Sequence, residues 1–260
     1  KPPYLRHLHD QDLKDLVLWK QIIMSCVVGR DINIVVKTVP MFIFVSDAAE
    51  SNGLGGWLSF GPAWRFELPP ELLGVFSSNL LECIAAYWSL KLLLSYVKTA
   101  RVRGRVDNRV STSWVVRNRF DPTESPAHDE VCRRIGESLL STGSALDPDH
   151  LAGDHNVTAD SLSRDTHLSV DCHTSFLKQV IPTCLPENFQ IVENNSEELR
   201  ILLVHLASLL PLNQPTPMRR TRSALLRGHS GSNTLPSNPS PLLSSLIVRE
   251  KPSYDCVNPF

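Results

Sequence analysis

The sequence predicts an α/β fold in which a mixed sheet is flanked by helices, and three features of residues 39–166 support this prediction. Residues 41–45 form a continuous apolar run, which is typical of a central strand covered on both faces. Three strand-like runs follow one another closely, separated by turns at residues 53–56 and 61–62. Helical and strand-like patterns then alternate up to residue 164, as they do when helices cover a sheet.

The pattern predicts the elements one by one along this region. The glycine-rich turn at residues 53–56 leads from the first strand into a second at residues 57–60, and a third at residues 63–68 stops at two prolines. Apolar residues recur on one face of a long helix over residues 77–97. The remaining predictions are a short arginine-rich strand at 102–106, helices at 108–117 and 127–140, a fifth strand at 145–151 and a last helix at 156–164.

Two of these five strands have unusual sequences. The fourth, RVRGRV, is very polar for the centre of a sheet and contains Gly104, which lowers its strand propensity. The fifth is interrupted by Asp147 and Pro148. These features fit a diverged or decaying member of a fold family.

The regions on either side of residues 39–166 have different compositions. Residues 1–38 contain a helical pattern and an apolar run at 32–36, and we interpret them as a lead-in. From residue 186 onward the chain holds nine of its 19 prolines, with many Ser and Asn residues. Residues 167–260 are therefore predicted to be a largely irregular linker or tail with one possible amphipathic helix at 197–210.

Composition and charge limit the possible functions. A hydrophobic content of 42% fits a globular protein, and a net charge of −1 makes no global claim on nucleic acid. The six cysteines are scattered without a C-x-x-C pair, which argues against a zinc site and favours a reducing, intracellular setting, cytoplasmic or nuclear. No apolar run approaches the length of a membrane span, so no membrane association is predicted.

Four carboxylates lie where the strands and helices of such a sheet converge: Asp47 after the first strand, Glu82 in the long helix, Asp107 after the arginine-rich strand and Asp160 in the last helix. Carboxylates held together repel one another unless cations bind between them. An oxygen-rich site of this kind suits Mg²⁺ or Mn²⁺. Two such ions about 4 Å apart can activate a water and stabilise a leaving oxygen in phosphodiester cleavage.

Each acid also has a simpler interpretation. Asp47 could start an Asx turn, and Glu82 could complete a capping box begun by Asn79. Asp107 could be the N-cap of the following helix, and Asp160 could be a solvated helical residue. Taken singly these alternatives stay open, and the order and context of the four acids make the set specific.

The context consists of four segments: VSDAAESNGLGGW, NLLECIAAYWSLKLL, VDNRVSTSW and HLAGDHNVTADSLSR. Over about residues 39–166 they resemble the ribonuclease H domain that follows reverse transcriptase in retroelements. The last segment is the most specific, because a Gly, an Asn and then Ala-Asp-x-Leu-Ser-Arg look like the retroelement pattern. The Asp-Asn pair followed by a Ser and a Trp is most similar to DIRS-like, tyrosine-recombinase retrotransposons.

The resemblance implies a ribonuclease H-like fold, a function and a set of site residues. The implied function is hydrolysis of the RNA strand of RNA–DNA hybrids during reverse transcription, with two Mg²⁺ ions (or Mn²⁺) held by Asp47, Glu82, Asp107 and Asp160. The glycines after Asp47 would let the second strand turn back tightly and keep the backbone open to the hybrid.

Further site residues follow from the same resemblance. His150 would assist product release or move protons, although a surface histidine is the simpler interpretation. Ser78 and Asn79 would touch the nucleic-acid backbone, with helix capping by Asn79 as the competing account. Asn108 and Arg109 complete the predicted nucleic-acid-binding residues. Independently of the resemblance, Arg109 belongs to a basic stretch close to Asp107 that could hold phosphates or could equally be a solvated surface.

The implied partners are an RNA–DNA hybrid, a reverse transcriptase domain upstream, whose connection would end within residues 1–38, and a possible recombinase or integrase domain downstream. Two alternatives remain. The domain could be a degenerate connection module that binds hybrid without cutting it, or a related DNA nuclease or integrase of the same superfamily. Hybrid binding without Mg²⁺-dependent cleavage would indicate the first alternative, and a DNA-duplex substrate would indicate the second.

Overall fold

A mixed sheet of six strands organises the part of the chain that the computed structural model describes, which is residues 10–27, 40–107, 125–182, 185–192 and 196–210. The strands are β1 (Phe42–Ala49), β2 (Gly53–Leu58), β3 (Pro62–Glu67), β4 (Arg101–Val106), β5 (Ala145–His150) and β6 (Gln190–Ile191). The helices are α1 (Asp10–Val27), α2 (Ser78–Tyr96), α3 (Ser125–Thr142), α4 (Val157–Arg164), α5 (Val170–Val180) and α6 (Ser196–Leu209). Two short 3₁₀ turns, Pro70–Leu72 and Gly153–His155, complete the described elements.

The strands are ordered β5-β4-β1-β2-β3-β6. Strands β1, β2 and β3 form an antiparallel meander, whereas β4 and β5 run parallel to β1. The predicted α/β class with a mixed sheet flanked by helices is therefore confirmed. The sheet has six strands rather than the predicted five, because residues 190–191 add a short strand parallel to β3.

The first turn of the meander lies earlier in the chain than predicted. Strand β1 continues through Asp47 to Ala49, and the chain then reverses, with the Asn52 amide donating to the Ala49 carbonyl at 3.0 Å. The glycines predicted to form the turn lie inside β2 instead. A side chain at Gly55 would overlap the backbone of Leu162 and Ser163 in α4, so the glycine gives this helix room to lie against the strand.

The unusual sequences of β4 and β5 have physical explanations. Gly104 faces the Phe44 ring of β1, which lies 2.4 Å from the position where a Cβ would be. Arg101 forms a two-pronged ion pair with Asp147 on β5, at 2.6 and 2.8 Å. Pro148 lies on β5 at the edge of the sheet, where a residue without an N–H is tolerated.

Hydrophobic cores cover both faces of the sheet. The larger core joins α2 to β1 and β2 through buried side chains such as Phe44, Leu54 and Ile84. A smaller one contains Ile43, Val45 and the α4 residue Ala159. Because α4 is part of this second core, its position relative to β1 is set by packing as well as by hydrogen bonds.

The region after residue 166 contributes more structure than the single predicted helix. Helix α6 lies at the predicted position, but α5 and β6 were missed. Leu177 of α5 and Phe189 before β6 are buried against Leu162 of α4. The high proline and serine content of the whole region hid these two short apolar segments. The predicted domain boundary at residue 166 stays a prediction.

Helix α1 accounts for the helical pattern predicted in residues 1–38, and Asp15 on this helix forms an ion pair with Arg133 of α3 at 3.1 Å. The apolar run at 32–36 and the helix predicted at 108–117 lie outside the described residues. Among the described helices, none combines the length and the apolar character that crossing a membrane requires.

Replacement of Gly55 by alanine tests the close contact between β2 and α4. The new Cβ would lie 2.6 Å from backbone and side-chain atoms of Leu162, which cannot move without displacing the helix. We expect Gly55→Ala to lower the free energy of unfolding by about 1–3 kcal/mol, measured by denaturant unfolding.

The matched control is Gly136→Ala in α3, where the nearest atom to the new Cβ is at 4.0 Å. Because glycine inside a helix is unfavourable, this variant should gain about 0.5–1 kcal/mol. Equal stability of the two variants would contradict the proposed contact.

Candidate metal centre

Three parallel strands bring functional side chains to one edge of the sheet. Strands β1, β4 and β5 all run in the same direction, and Ser46 of β1 is in register with Val106 of β4. The next residues, Asp47 and Asp107, therefore lie side by side where sites of α/β proteins usually form. His150 is the last residue of β5 and pairs with Val106, so it reaches the same edge.

The carboxylates of Asp47, Glu82 and Asp107 form a compact cluster. One oxygen from each lies within 4.8 Å of the others. Asp47 and Glu82 are only 3% and 5% exposed. Glu82 reaches the cluster from α2, and its Oε1 accepts a hydrogen bond from the Ala48 amide at 3.3 Å. The structure therefore brings together three of the four predicted acids.

The donor set of this cluster fits a hard divalent cation. The second oxygen of Glu82, Oε2, is buried and has no hydrogen-bond partner among the described residues. A buried, unpartnered carboxylate oxygen is costly unless a cation or a proton satisfies it. Three carboxylates with such an oxygen offer the ligands that Mg²⁺ or Mn²⁺ prefers.

Two residues, one in α4 and one immediately before it, hold the Asp47 carboxylate. Ser163 donates to Oδ2 at 2.6 Å, and the buried Asn156 side chain donates to Oδ1 at 3.3 Å. Both oxygens of Asp47 are thereby oriented by residues that come much later in the chain. In the sequence, these two residues were recognised only as parts of the segment HLAGDHNVTADSLSR. That segment was the one signal that could have indicated their role in holding Asp47.

Burial raises the pKa values of all three acids, and the charges of neighbouring carboxylates add to the rise. Burial, with a smaller contribution from the Asp107 charge, raises the pKa of Asp47 from 3.8 to about 6, although the Ser163 hydrogen bond opposes the shift. Burial, followed by the charges of Asp47 and Asp107, raises the pKa of Glu82 well above its usual range. The pKa of Asp107 is also raised by burial, against a lowering hydrogen bond from Asn156.

Asp160 lies beside the cluster rather than within it. Its side chain is half-exposed and pairs with Arg164 one turn later in α4, at 2.6 Å. Its charge nevertheless contributes to the raised pKa values of Asp47, Glu82 and Asp107. Asp160 is therefore close enough to act on the cluster electrostatically, while its assignment as a ligand stays a prediction.

The start of α2 decides between the alternatives for Glu82 and Asn79. Ser77 is the N-cap, and its hydroxyl accepts from the Leu80 amide at 3.3 Å. Asn79 lies within the first turn of the helix, so the capping interpretation of this residue is wrong, and so is the capping box that it would form with Glu82. Asp47, inside β1, does not start an Asx turn.

The remaining predicted site residues differ in how the structure places them. Ser78 is exposed, and its amide and hydroxyl both donate to Glu50, the amide at 2.7 Å. His150 is close enough to Asp107 for its charge to oppose the rise in the pKa of that carboxyl. Asn108 and Arg109 lie outside the described residues. Roles of these residues in binding nucleic acid stay predictions.

The raised pKa of Asp47 makes the stability of the metal-free protein depend on pH. The folded carboxyl titrates near pH 6 and the unfolded one near pH 4, so between these values the folded state binds more protons. The stabilisation of the folded state that comes from this raised pKa is therefore fully present below pH 4, and it is lost as the pH rises through 6. With a chelator present, unfolding monitored by circular dichroism should show that the free energy of unfolding falls by up to about 3 kcal/mol over this pH range.

Asp47→Asn should remove the part of this pH dependence that Asp47 contributes, whereas Glu137→Gln, which removes an exposed carboxylate on α3, should leave the whole dependence unchanged. A wild-type protein whose stability is constant between pH 4 and 7 would show that Asp47 is not buried as an anion.

Comparisons with known proteins add structural similarities only. No protein-family model matches the sequence, and no curated protein matches it. Among solved structures, ribonuclease H1 from the archaeon Halobacterium salinarum NRC-1 is 14% identical, with 46% of this chain and 91% of that chain aligned at a TM-score of 0.38. LC11-RNase H1 in complex with an RNA/DNA hybrid is 18% identical, with 49% and 99% aligned at a TM-score of 0.40.

A foamy viral protease-reverse transcriptase in complex with RNA/DNA hybrid is 16% identical, with 49% of this chain and 20% of that chain aligned at a TM-score of 0.36. At these values the similarities do not indicate an activity. The strand order β5-β4-β1-β2-β3, its mixture of parallel and antiparallel pairs and the flanking helices give the chain a ribonuclease H-like α/β fold.

Proposed function

We propose that this chain is a ribonuclease H that hydrolyses the RNA strand of RNA–DNA hybrids with the help of divalent cations. The observation that carries the proposal is the convergence of Asp47, Glu82 and Asp107 at one edge of a ribonuclease H-like sheet. The four-segment sequence resemblance supports the choice of substrate. Selectivity for RNA would come from contacts to 2′-hydroxyl groups in a shallow minor groove.

The protein's own residues would prepare the site in three ways. Asn156 and Ser163 fix both oxygens of Asp47, so this carboxylate faces the cluster in one orientation. The Ala48 amide holds one oxygen of Glu82 and leaves the other free to act as a ligand. The three acids, with Asp160 proposed as a fourth ligand, would hold two Mg²⁺ ions, which when bound supply Lewis-acid activation of water and stabilisation of the leaving oxygen.

The wider context of the proposal comes from the sequence resemblance. We propose that the chain belongs to a retroelement polyprotein of the DIRS-like type, with a reverse transcriptase domain upstream and a recombinase or integrase domain downstream. The free thiols of Cys83, Cys132 and Cys172 are compatible with the proposed intracellular setting. His150 would move protons or assist product release from its place beside Asp107.

Cleavage of a labelled RNA–DNA hybrid in Mg²⁺ or Mn²⁺ tests the proposal directly. We expect the wild type to cut the RNA strand, and Asp47→Asn to lower the rate by more than about 100-fold. Removal of a residue that only orients a metal ligand typically lowers activity by about 10–100-fold. Removal of the ligand itself should lower the cleavage rate by more. Glu137→Gln is the matched control, because it makes the same change from carboxylate to amide at an exposed position.

Each other outcome identifies an alternative. A folded wild type that binds the hybrid without cutting it would indicate a degenerate binding module. Cleavage of duplex DNA in preference to the hybrid would indicate a DNA nuclease or integrase. Full activity of Asp47→Asn would show that the carboxylate cluster is not the active site.

Ser163→Ala tests whether orientation of Asp47 contributes to activity. The variant removes a 2.6 Å hydrogen bond to the Asp47 carboxylate without removing any acid. We expect a loss of about 10–100-fold in cleavage rate, and a higher Mg²⁺ concentration for half-maximal rate. Ser141→Ala, which removes an exposed hydroxyl on α3, should have no effect on either quantity. An unchanged Ser163→Ala enzyme would contradict the orienting role.

A further inference from the structure

Helix α4 carries Asp160 and Ser163 although it is only eight residues long. Isolated helices of this length are unstable, so contacts with the rest of the protein must fix its position. One side of α4 lies against β2 at Gly55. A second set of contacts joins the helix and the turn that follows it to β3 and α5.

This second set is a partly buried polar cluster of Arg65, Ser161, Asp165 and His173, which we call the α4 anchor. Arg65 extends from β3 and donates to Nδ1 of His173 at 3.0 Å. It also donates to the carbonyl oxygens of Asp165 and Leu168, at 3.3 and 2.5 Å. The Nε2 atom of His173 lies 2.9 Å from the Ser161 hydroxyl, which donates to Asp165 at 2.7 Å.

The direction of these hydrogen bonds follows from the chemistry of the groups. A guanidinium can only donate, so Nδ1 of His173 must be the acceptor and the neutral ring carries its proton on Nε2. Burial, followed by the Arg65 charge, lowers the pKa of His173 to about 4, which is consistent with a neutral ring. Nε2 therefore donates to Ser161, and the Ser161 hydroxyl donates to the Asp165 carboxylate.

A neutral histidine suits this position because it offers one acceptor and one donor on a rigid ring. The ring is fully buried, and none of the buried side-chain nitrogen or oxygen atoms of the cluster lacks a hydrogen-bond partner. The chain of donors runs from β3 through α5 into α4. Each member lies on a different element or on the turn between α4 and α5, so the chain ties three elements together.

We propose that His173 is a positioning residue of the candidate active site, holding α4 so that Ser163 bonds Asp47 and Asp160 stays beside the acid cluster. This inference rests on the proposed function for its catalytic consequence. Ser161 and Ser163 are two residues apart in the same short helix, so a shift of α4 at Ser161 would also move Ser163, whose hydrogen bond to Asp47 is 2.6 Å long. His173 acts at a distance and touches neither the acids nor the substrate.

The test compares His173→Leu, which fills the space without polar atoms, with His173→Gln, which retains an amide donor able to reach Ser161. We expect His173→Leu to lower kcat by about 10–100-fold and to raise the Mg²⁺ concentration for half-maximal rate, with KM for the hybrid within about twofold of wild type. His173→Gln should recover most of both losses.

Ser89→Ala is the control for a general loss of stability, since it removes the buried 2.9 Å hydrogen bond between Ser89 and Trp64. It should lower the melting temperature but leave kcat and the Mg²⁺ requirement unchanged. All rates are measured well below the melting temperature of the least stable variant. A His173→Leu enzyme with wild-type kcat and Mg²⁺ requirement would overturn the proposal.

Hydrogen exchange of the amides in residues 157–164 provides a readout that does not depend on catalysis. His173→Leu should increase exchange in α4 by more than its change in global stability explains, and Ser89→Ala should not. If the wild type fails to cleave hybrid, the proposed function is wrong while this measurement still decides whether His173 positions α4. Unchanged exchange in α4 would reject the positioning role in either case.

Discussion

The structure depends on the burial of a charged group, the Asp47 carboxylate, near the end of the inner strand β1. A buried carboxylate is costly unless it is hydrogen-bonded or paired with a cation. Here Asn156 and Ser163 supply one hydrogen bond to each oxygen, whereas the charges of Asp107 and Asp160 add repulsion that a bound cation or a proton would relieve. The need to bring α4 close enough for these hydrogen bonds explains why β2 has a glycine at position 55, where the helix backbone touches the strand. The sheet, the glycine and the short helix are thus parts of one arrangement around Asp47.

The sequence was sufficient to predict the sheet class and the three acids of the cluster, because these depend on local patterns. An apolar run, a strand end and a helical period place Asp47, Glu82 and Asp107 at one sheet edge without knowledge of distant contacts. The partners of Asp47 could not be found in this way. Asn156 and Ser163 are 109 and 116 residues away in the chain, and no local rule states which side chain a distant serine will meet.

Local rules also failed where the tertiary structure overrode them. Clustered glycines normally indicate a turn, but in β2 they permit close approach of a helix, so the predicted turn and the proposed opening of the backbone to a hybrid were both wrong. The missed elements α5 and β6 are short and lie in a proline-rich region. Their stability comes from Leu177 and Phe189 packing against α4, which composition alone does not reveal. The same packing brings His173 beside Ser161, so the candidate positioning network depends on elements that sequence analysis had assigned to a tail.

The features that suggested a decaying domain have compensating partners in the structure. The polar strand β4 is matched by acids on β5, since Arg101 pairs with Asp147 and Arg105 pairs with Asp149. Gly104, which weakens the strand in isolation, gives space to the buried Phe44 ring. Random decay would remove one member of such a pair and leave the other unsatisfied, at a cost of about 1–3 kcal/mol for a buried polar group. Both members of each pair are present here, so an unusual β4 sequence is not by itself an argument against a functional site.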